Sequence, residues 1–395
     1  MDHLTSLKLR ATPLHGRLAV SWDREPFVAR ITTDPARFRT GGTEILRKGD
    51  SVYLPHVRGK YDSQSGEPFD LPLPEELIYL SEGDVVRVNP RQRELWVMYR
   101  SSSASNAMLL TERCNSWCVM CSQPPRPDDD SELLNAWMDA IPLMDPATDD
   151  LGITGGEPTL LGDRFLALVA KCRLHLPDTA LHVLSNGRLF NYLSLCQELK
   201  SVVPPKFMLG IPLYSDLAWQ HDFVVQSDAA FDQTIRGVLN LARCQIPVEI
   251  RVVIHRFTAE RLPALARFIC RNLPFVQHVA LMGLEPIGFA RSNYASLWID
   301  PLDYQDELGA AVGMFERQGM HVSIYNHQHC VLPESLWPHA RQSISDWKNI
   351  YLLKCQDCTV RSRCGGFFHS AGARHSRGVH PFSESTEHRP SESVS

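Results

Sequence analysis

Six short apolar runs through the middle of the chain constrain its fold more than any other feature: Met108–Thr111, Leu151–Thr154, Leu181–Ser185, Phe207–Leu213, Val248–Ile254 and Val276–Met282. Each has the length of a strand. Helix-length segments lie between or after them, at Ser131–Ile141, Arg164–His175, Asp228–Arg243, Glu260–Arg271 and Tyr304–Arg317, most with apolar residues at helical spacing. Alternating strands and helices build a parallel sheet with helices outside it, because each parallel pair needs a crossover. Six units predict an α/β fold with a partial (β/α)6 barrel rather than a closed barrel of eight. An open doubly wound sheet is the alternative that counting leaves open.

The 395-residue chain is 44% hydrophobic, enough for one large core and a smaller unit. Residues 1–100 read as a small β-rich domain. Strands are expected at Leu18–Ser21, Phe27–Ile31 and Ser51–Leu54, with Asp84–Val88 paired to Leu95–Tyr99 across a turn at Asn89, Pro90 and Arg91. The polar stretch Ser101–Asn106 reads as a linker, residues 107–318 as the barrel and 319–382 as a cysteine-rich C-terminal extension. The tail 383–395, rich in Ser, Glu, Pro and His, is expected to be disordered. A net charge of -5 without a long Lys/Arg block argues against a nucleic-acid partner. No signal-peptide core opens the chain and no stretch is long and apolar enough to span a membrane. Eleven cysteines, an odd number not spread like a disulfide framework, predict a cytoplasmic protein that keeps its thiols for metal.

Three of those thiols, Cys114, Cys118 and Cys121, fall within eight residues directly after the first barrel strand, where a barrel keeps its active site. Three close cysteines can hold three irons of a cubane cluster and leave the fourth iron open to a ligand. The competing reading is zinc, which needs a fourth ligand and usually draws on two Cys or Cys/His pairs; no His follows closely here. The Cys-x3-Cys-x2-Cys spacing resembles that of the radical S-adenosylmethionine (SAM) superfamily. The resemblance implies a [4Fe–4S] cluster whose open iron chelates SAM, and reductive cleavage to a 5′-deoxyadenosyl radical that takes a hydrogen atom from substrate. Met120 stands before the third cysteine, where this superfamily often has an aromatic residue near the adenine. Trp117, inside the loop, reads as a shield between cluster and water.

Supporting motifs follow on the next strands. Gly155-Gly156-Glu157-Pro158 resembles the superfamily's GGEP motif, which implies that backbone carbonyls and the acidic side chain receive the amino group of SAM. By itself such a segment is an ordinary glycine turn; its place one strand after the cysteine loop is what gives it weight. Ser185 and Asn186 end the third strand, where they can hydrogen-bond a ribose or carboxylate or simply form an Asn-Gly turn. Arg251 on the fifth strand suits the carboxylate of SAM or a structural ion pair. Gly283, ending the sixth, is similar to a family segment that closes over adenine. No residue stands out as a catalytic acid or hydrogen donor.

A second group, Cys330, Cys355, Cys358 and Cys364, supplies four thiols, enough to close a whole cluster. It resembles a shortened auxiliary-cluster region of radical SAM enzymes that modify peptides, which implies a second [4Fe–4S] cluster; a four-cysteine zinc site is the rival. His327 and His329 sit beside Cys330 as alternative ligands but read as polar surface residues. Cys172, Cys196, Cys244 and Cys270 fall singly in expected helices and read as core thiols.

The string Thr111-Glu112-Arg113-Cys114-Asn115 through Cys121-Ser122-Gln123-Pro124-Pro125, with Gly283-Leu284-Glu285-Pro286 and Cys364-Gly365-Gly366-Phe367-Phe368, resembles the His-Xaa-Ser system radical SAM maturase, C-type member. That resemblance implies a ribosomally made peptide or protein substrate with His-Xaa-Ser repeats, a partner radical SAM maturase and a small system protein. The chemistry implies a flavodoxin or ferredoxin as reductant. The alternatives are a radical SAM enzyme acting on a small molecule or RNA, and a zinc-stabilised scaffold without chemistry.

Overall fold

The computed structural model describes residues 14–19, 24–35, 37, 44–54, 69–343, 350–371 and 374–383. The expected tail therefore lies outside the described residues beyond residue 383.

Among the described residues, seven strands form a mixed front sheet: β1 (His15–Arg17), β2 (Phe27–Thr32), β3 (Glu44–Lys48), β4 (Ser51–Leu54), β5 (Phe69–Pro72), β6 (Val85–Asn89) and β7 (Glu94–Tyr99), in the order β1-β7-β6-β2-β3-β4-β5. The hairpin β6/β7 pairs as expected, with Asn89 opposite Glu94. The first strand falls just before its expected place. Leu18 turns into the front core instead, and Val20 and Ser21 lie outside the described residues.

From residue 106 the chain alternates. The elements are β8 (Asn106–Leu109), α1 (Ser131–Ala140), β9 (Asp150–Thr154), α2 (Asp163–His175), β10 (Ala180–Leu184), α3 (Leu193–Val202), β11 (Phe207–Pro212), α4 (Ala218–Val225), α5 (Ala230–Arg243), β12 (Val248–Ile254), α6 (Leu262–Asn272), β13 (His278–Gly283), α7 (Gly288–Ser292), α8 (Tyr294–Leu297), α9 (Gln305–Arg317), β14 (Val322–Tyr325) and β15 (Ala340–Arg341). All eight strands pair in parallel, each beside its neighbour in the chain. A doubly wound sheet reverses direction at a switch point. This one never does, so it curls into a half-barrel, and every strand delivers its following loop to the same rim.

The sheet has two strands more than the six apolar runs, because β14 and β15 are too short to show a pattern of their own. Their presence carries the sheet past residue 318. Alternation along β12 shows the two faces. Val248, Ile250, Val252 and Ile254 join the core with Leu262, Leu265 and Ile269 of α6, while Glu249, Arg251 and Val253 point to the concave side. Among the described residues no helix is long and apolar enough to cross a membrane.

Gly210, in the middle of β11, shows how tightly the concave side is filled. A Cβ there would lie 2.8 Å from Leu184 Cδ2, 2.9 Å from Arg251 Cδ and 3.0 Å from His182 Nε2. The empty position is what admits the two long polar side chains. Gly210→Val should therefore overpack the interior and destabilise the protein by about 1–3 kcal/mol, read as a lower unfolding midpoint in denaturant.

Candidate active site at the rim of the half-barrel

The rim is assembled by a buried carboxylate. Glu157 is fully buried, and its Oε1 accepts from Thr159 N (3.0 Å), Thr159 Oγ1 (2.5 Å) and Ser185 Oγ (2.8 Å), while Oε2 accepts from Asn186 N (2.6 Å). Burial pushes its pKa up, and those four donors work against that. The loops after β9 and β10 are thus tied through one side chain. Pro158 opens the short 3-10 turn that follows.

The glycines tie the second loop to the first. Gly156 N and Glu157 N donate to Thr111 O and Arg113 O, both at 2.8 Å. A Cβ on Gly155 would lie 2.6 Å from Thr111 O, and one on Gly156 only 2.2 Å from Arg113 O, so no other residue allows the two backbones to meet. Gly155 also holds φ at +155°. Both glycines therefore face the cysteine loop rather than open space. Among the described residues, nothing donates to the carbonyl of either.

Cys114, Cys118 and Cys121 sit in this braced loop, half-buried. Burial, with the Glu157 carboxylate nearby, pushes the Cys114 thiol up to about 11; burial raises Cys118 and Cys121 as well, and the neighbouring thiols add to Cys118. Thiols raised in this way stay protonated on their own, and three thiolates would coexist in such a loop only with a cation between them. The far end of the loop pairs with α4, through Trp117 N to Val225 O (3.0 Å) and Val119 N to Val224 O (2.9 Å). Met120 is buried beside Tyr214. Trp117 is 51% exposed and stacks on Phe289, so any shield it forms is partial.

The sequence singles out Asn186 at this rim but not Arg188. Arg188 donates to Asn115 O, to Ser116 Oγ (3.1 Å) and to Gln233 Oε1 (2.7 Å), clamping the cysteine loop from the third strand's end. Asn186 reaches Asn115 Oδ1 (2.6 Å). The signal of Arg188 in the sequence is only that it follows a strand of the same sheet.

Arg251 faces the concave side and is already paired: its Nη1 lies 2.6 Å from Glu249 Oε1. Glu249 also takes His278 Nδ1 at 2.6 Å, and His182 Nε2 lies 3.5 Å away. Although burial opposes it, the His278 hydrogen bond and the Arg251 and His182 charges hold the Glu249 carboxyl down to about 2. The pair could have been sought in the sequence, since a Glu two residues before an Arg on one strand must share its face. Tyr214, after β11, is nearly buried between His221 and His255, with ring centroids 5.8 and 6.5 Å away. Gly283 ends β13 against Asn326 O, which a Cβ would approach to 2.7 Å.

Cys330, Cys355, Cys358 and Cys364 come together around one small cavity, also lined by Gln328 and Tyr351. His327 and His329 are buried, not on the surface. His327 has both nitrogens engaged: Nδ1 donates to Tyr325 O (2.8 Å), so Nε2 accepts from the Tyr304 hydroxyl (2.7 Å). His329 packs edge-on against Trp337. Neither lines the thiol cavity. Cys172 and Cys196 are buried in the main core, and Cys244 and Cys270 are partly buried against it. Among the described residues, no three His, Cys, Asp or Glu side chains converge as a single metal ion requires. A cavity of about 780 Å³ between the front sheet and α1 is lined by none of these thiols.

Residues 108–269 match the family model for the Radical SAM superfamily. No curated protein matches the chain. Among solved structures, Streptococcus suis SuiB bound to S-adenosylmethionine is similar at 15% identity and a TM-score of 0.48, over 63% of this chain and 55% of that one. Native anSMEcpe with bound AdoMet is similar at 18% identity and a TM-score of 0.44, over 55% of this chain and 63% of that one. The chain thus spans little more than half the length of SuiB.

Because Glu249 is held below the ordinary carboxylate range, its stabilisation is present above the unfolded value and is lost as pH falls from about 4.5 toward 2. Glu249→Gln should lower stability at neutral pH and flatten that part of the acid limb, measured as urea midpoints between about pH 5 and pH 3.

Proposed function

We propose that this chain, whose residues 108–269 form a Radical SAM superfamily domain, is an iron–sulfur enzyme that modifies a ribosomally made peptide. A domain of this superfamily implies an enzyme with a [4Fe–4S] cluster and SAM. The observation that carries the assignment is the loop of Cys114, Cys118 and Cys121, braced through Gly156 and Glu157 at the rim of a parallel half-barrel. When bound, cluster and SAM supply a 5′-deoxyadenosyl radical. The chain's own residues do the rest. The three thiolates would hold three irons. The free carbonyls of Gly155 and Gly156 are the acceptors for a cationic amine. The Glu157 carboxylate, spent on four internal hydrogen bonds, holds their loop in place. Arg251, one nitrogen paired with Glu249, presents the remainder of its guanidinium to the concave side, where a carboxylate would pair with it.

The four C-terminal cysteines are read as ligands of an auxiliary cluster. Their thiols line one common cavity. Zinc draws four thiolates onto a single ion, whereas a cubane spreads them over four irons. That group, with the strings around Cys114 and Cys364, supports a peptide substrate carrying His-Xaa-Ser repeats. A second maturase, a small system protein and a flavodoxin or ferredoxin belong to the same proposal.

Anaerobic reconstitution should yield about eight irons per chain and 5′-deoxyadenosine from SAM and dithionite. Replacing Cys114, Cys118 and Cys121 by Ala should abolish that product, and its persistence would refute the assignment. Replacing Cys355 and Cys358 should remove about half the iron; zinc in its place would return the C-terminal group to a structural site.

A further inference from the structure

Every polar atom of Asn186 is engaged. Its backbone N–H donates to Glu157 Oε2 (2.6 Å) and its carbonyl accepts from Thr234 Oγ1 (3.2 Å). In the side chain, Oδ1 accepts from Arg188 N (3.1 Å), and Nδ2 donates to Asn115 Oδ1 (2.6 Å) and toward Cys114 Sγ (3.9 Å). The direction of the amide follows from these partners. Arg188 N–H can only donate, so the oxygen must face it, and the NH2 group must face the cysteine loop. One of its hydrogens is taken by Asn115, and the other is aimed at sulfur.

The sulfur it meets belongs to Cys114, the first thiol of the loop. The same amide meets Asn115, the residue after Cys114, so it is held at the start of the cysteine loop. Asn186 thus links the buried Glu157 carboxylate to the Cys114 sulfur. It donates its backbone N–H to the carboxylate and its side-chain N–H to the sulfur, taking charge density from each.

We infer that Asn186 is a positioning residue that sets the reduction potential of the cluster, through the N–H···S hydrogen bond from Nδ2 to Cys114 Sγ. The inference rests on reading Cys114, Cys118 and Cys121 as cluster ligands. A donor to a cluster sulfur disperses negative charge and favours the more negative, reduced member of the [4Fe–4S]2+/1+ couple, which takes its one electron from an external reductant such as dithionite. Removing the donor makes the cluster harder to reduce. Putting a carboxylate in its place makes it harder still.

The test is an EPR-monitored redox titration of the full chain after anaerobic reconstitution, following the signal that changes when SAM is added. Asn186→Leu keeps the size of the side chain and removes the donor. Asn186→Asp keeps the oxygen that accepts from Arg188 and turns a second, anionic oxygen toward Cys114. The expected result is a midpoint more negative in N186L than in the wild type and more negative again in N186D, with iron per chain unchanged. An unmoved midpoint in N186D at wild-type iron content would overturn the inference, as would a shift to more positive potential. Loss of iron from both variants would overturn it too, because Asn186 would then only hold the loop in shape. A wild-type chain that takes up no iron would overturn the cluster reading itself, and is told apart by iron analysis before any titration.

Discussion

The Glu157 carboxylate is the joint on which the rim of the half-barrel depends. It has no access to water, and its four hydrogen bonds come from Thr159, Ser185 and Asn186. A buried ion is tolerated only when its lone pairs are used, and each bond here also fastens a loop. The loop carrying Glu157 is in turn laid against Thr111 and Arg113, just ahead of Cys114. Three segments far apart in sequence are therefore positioned by one another, and the cysteine loop inherits its shape from the third strand as much as from its own residues.

The winding of the sheet makes that joint possible. A sheet in which each strand follows its chain neighbour brings successive loops side by side on one rim, in chain order. The concave side is then lined by alternate residues that never meet the helices. Polar groups can be kept there if they are paired, as Glu249 is with Arg251 and His278. Gly210 completes the arrangement by leaving room where Arg251 and His182 cross β11.

Much of this was legible because its signals are local. The strand β12 and the spans of α1, α2, α5, α6 and α9 follow from apolar periodicity, and the cysteine loop from spacing within eight residues. What escaped the sequence depends on partners at long range. Glu157 looks like a ligand group until Ser185 and Asn186, 28 and 29 residues on, are seen to occupy it. His327 beside Cys330 looks available until the Tyr304 hydroxyl is found on its ring. The strands β14 and β15, four and two residues long, carry too few side chains for alternation to show; only their pairing with β13 and with each other defines them.

Those two short strands have a mechanical consequence. They continue the same hydrogen-bonded ladder that begins at β8, and Cys330 follows β14 within five residues of its end. The front thiols leave the sheet after its first strand and Cys330 leaves it after its seventh, so six strand spacings of about 4.8 Å each, bent along the curl, separate their points of attachment. A flexible tether would let the separation of the two thiol groups wander with every thermal motion. Mounted on one ladder, the two thiol groups keep a span set by interstrand hydrogen bonds.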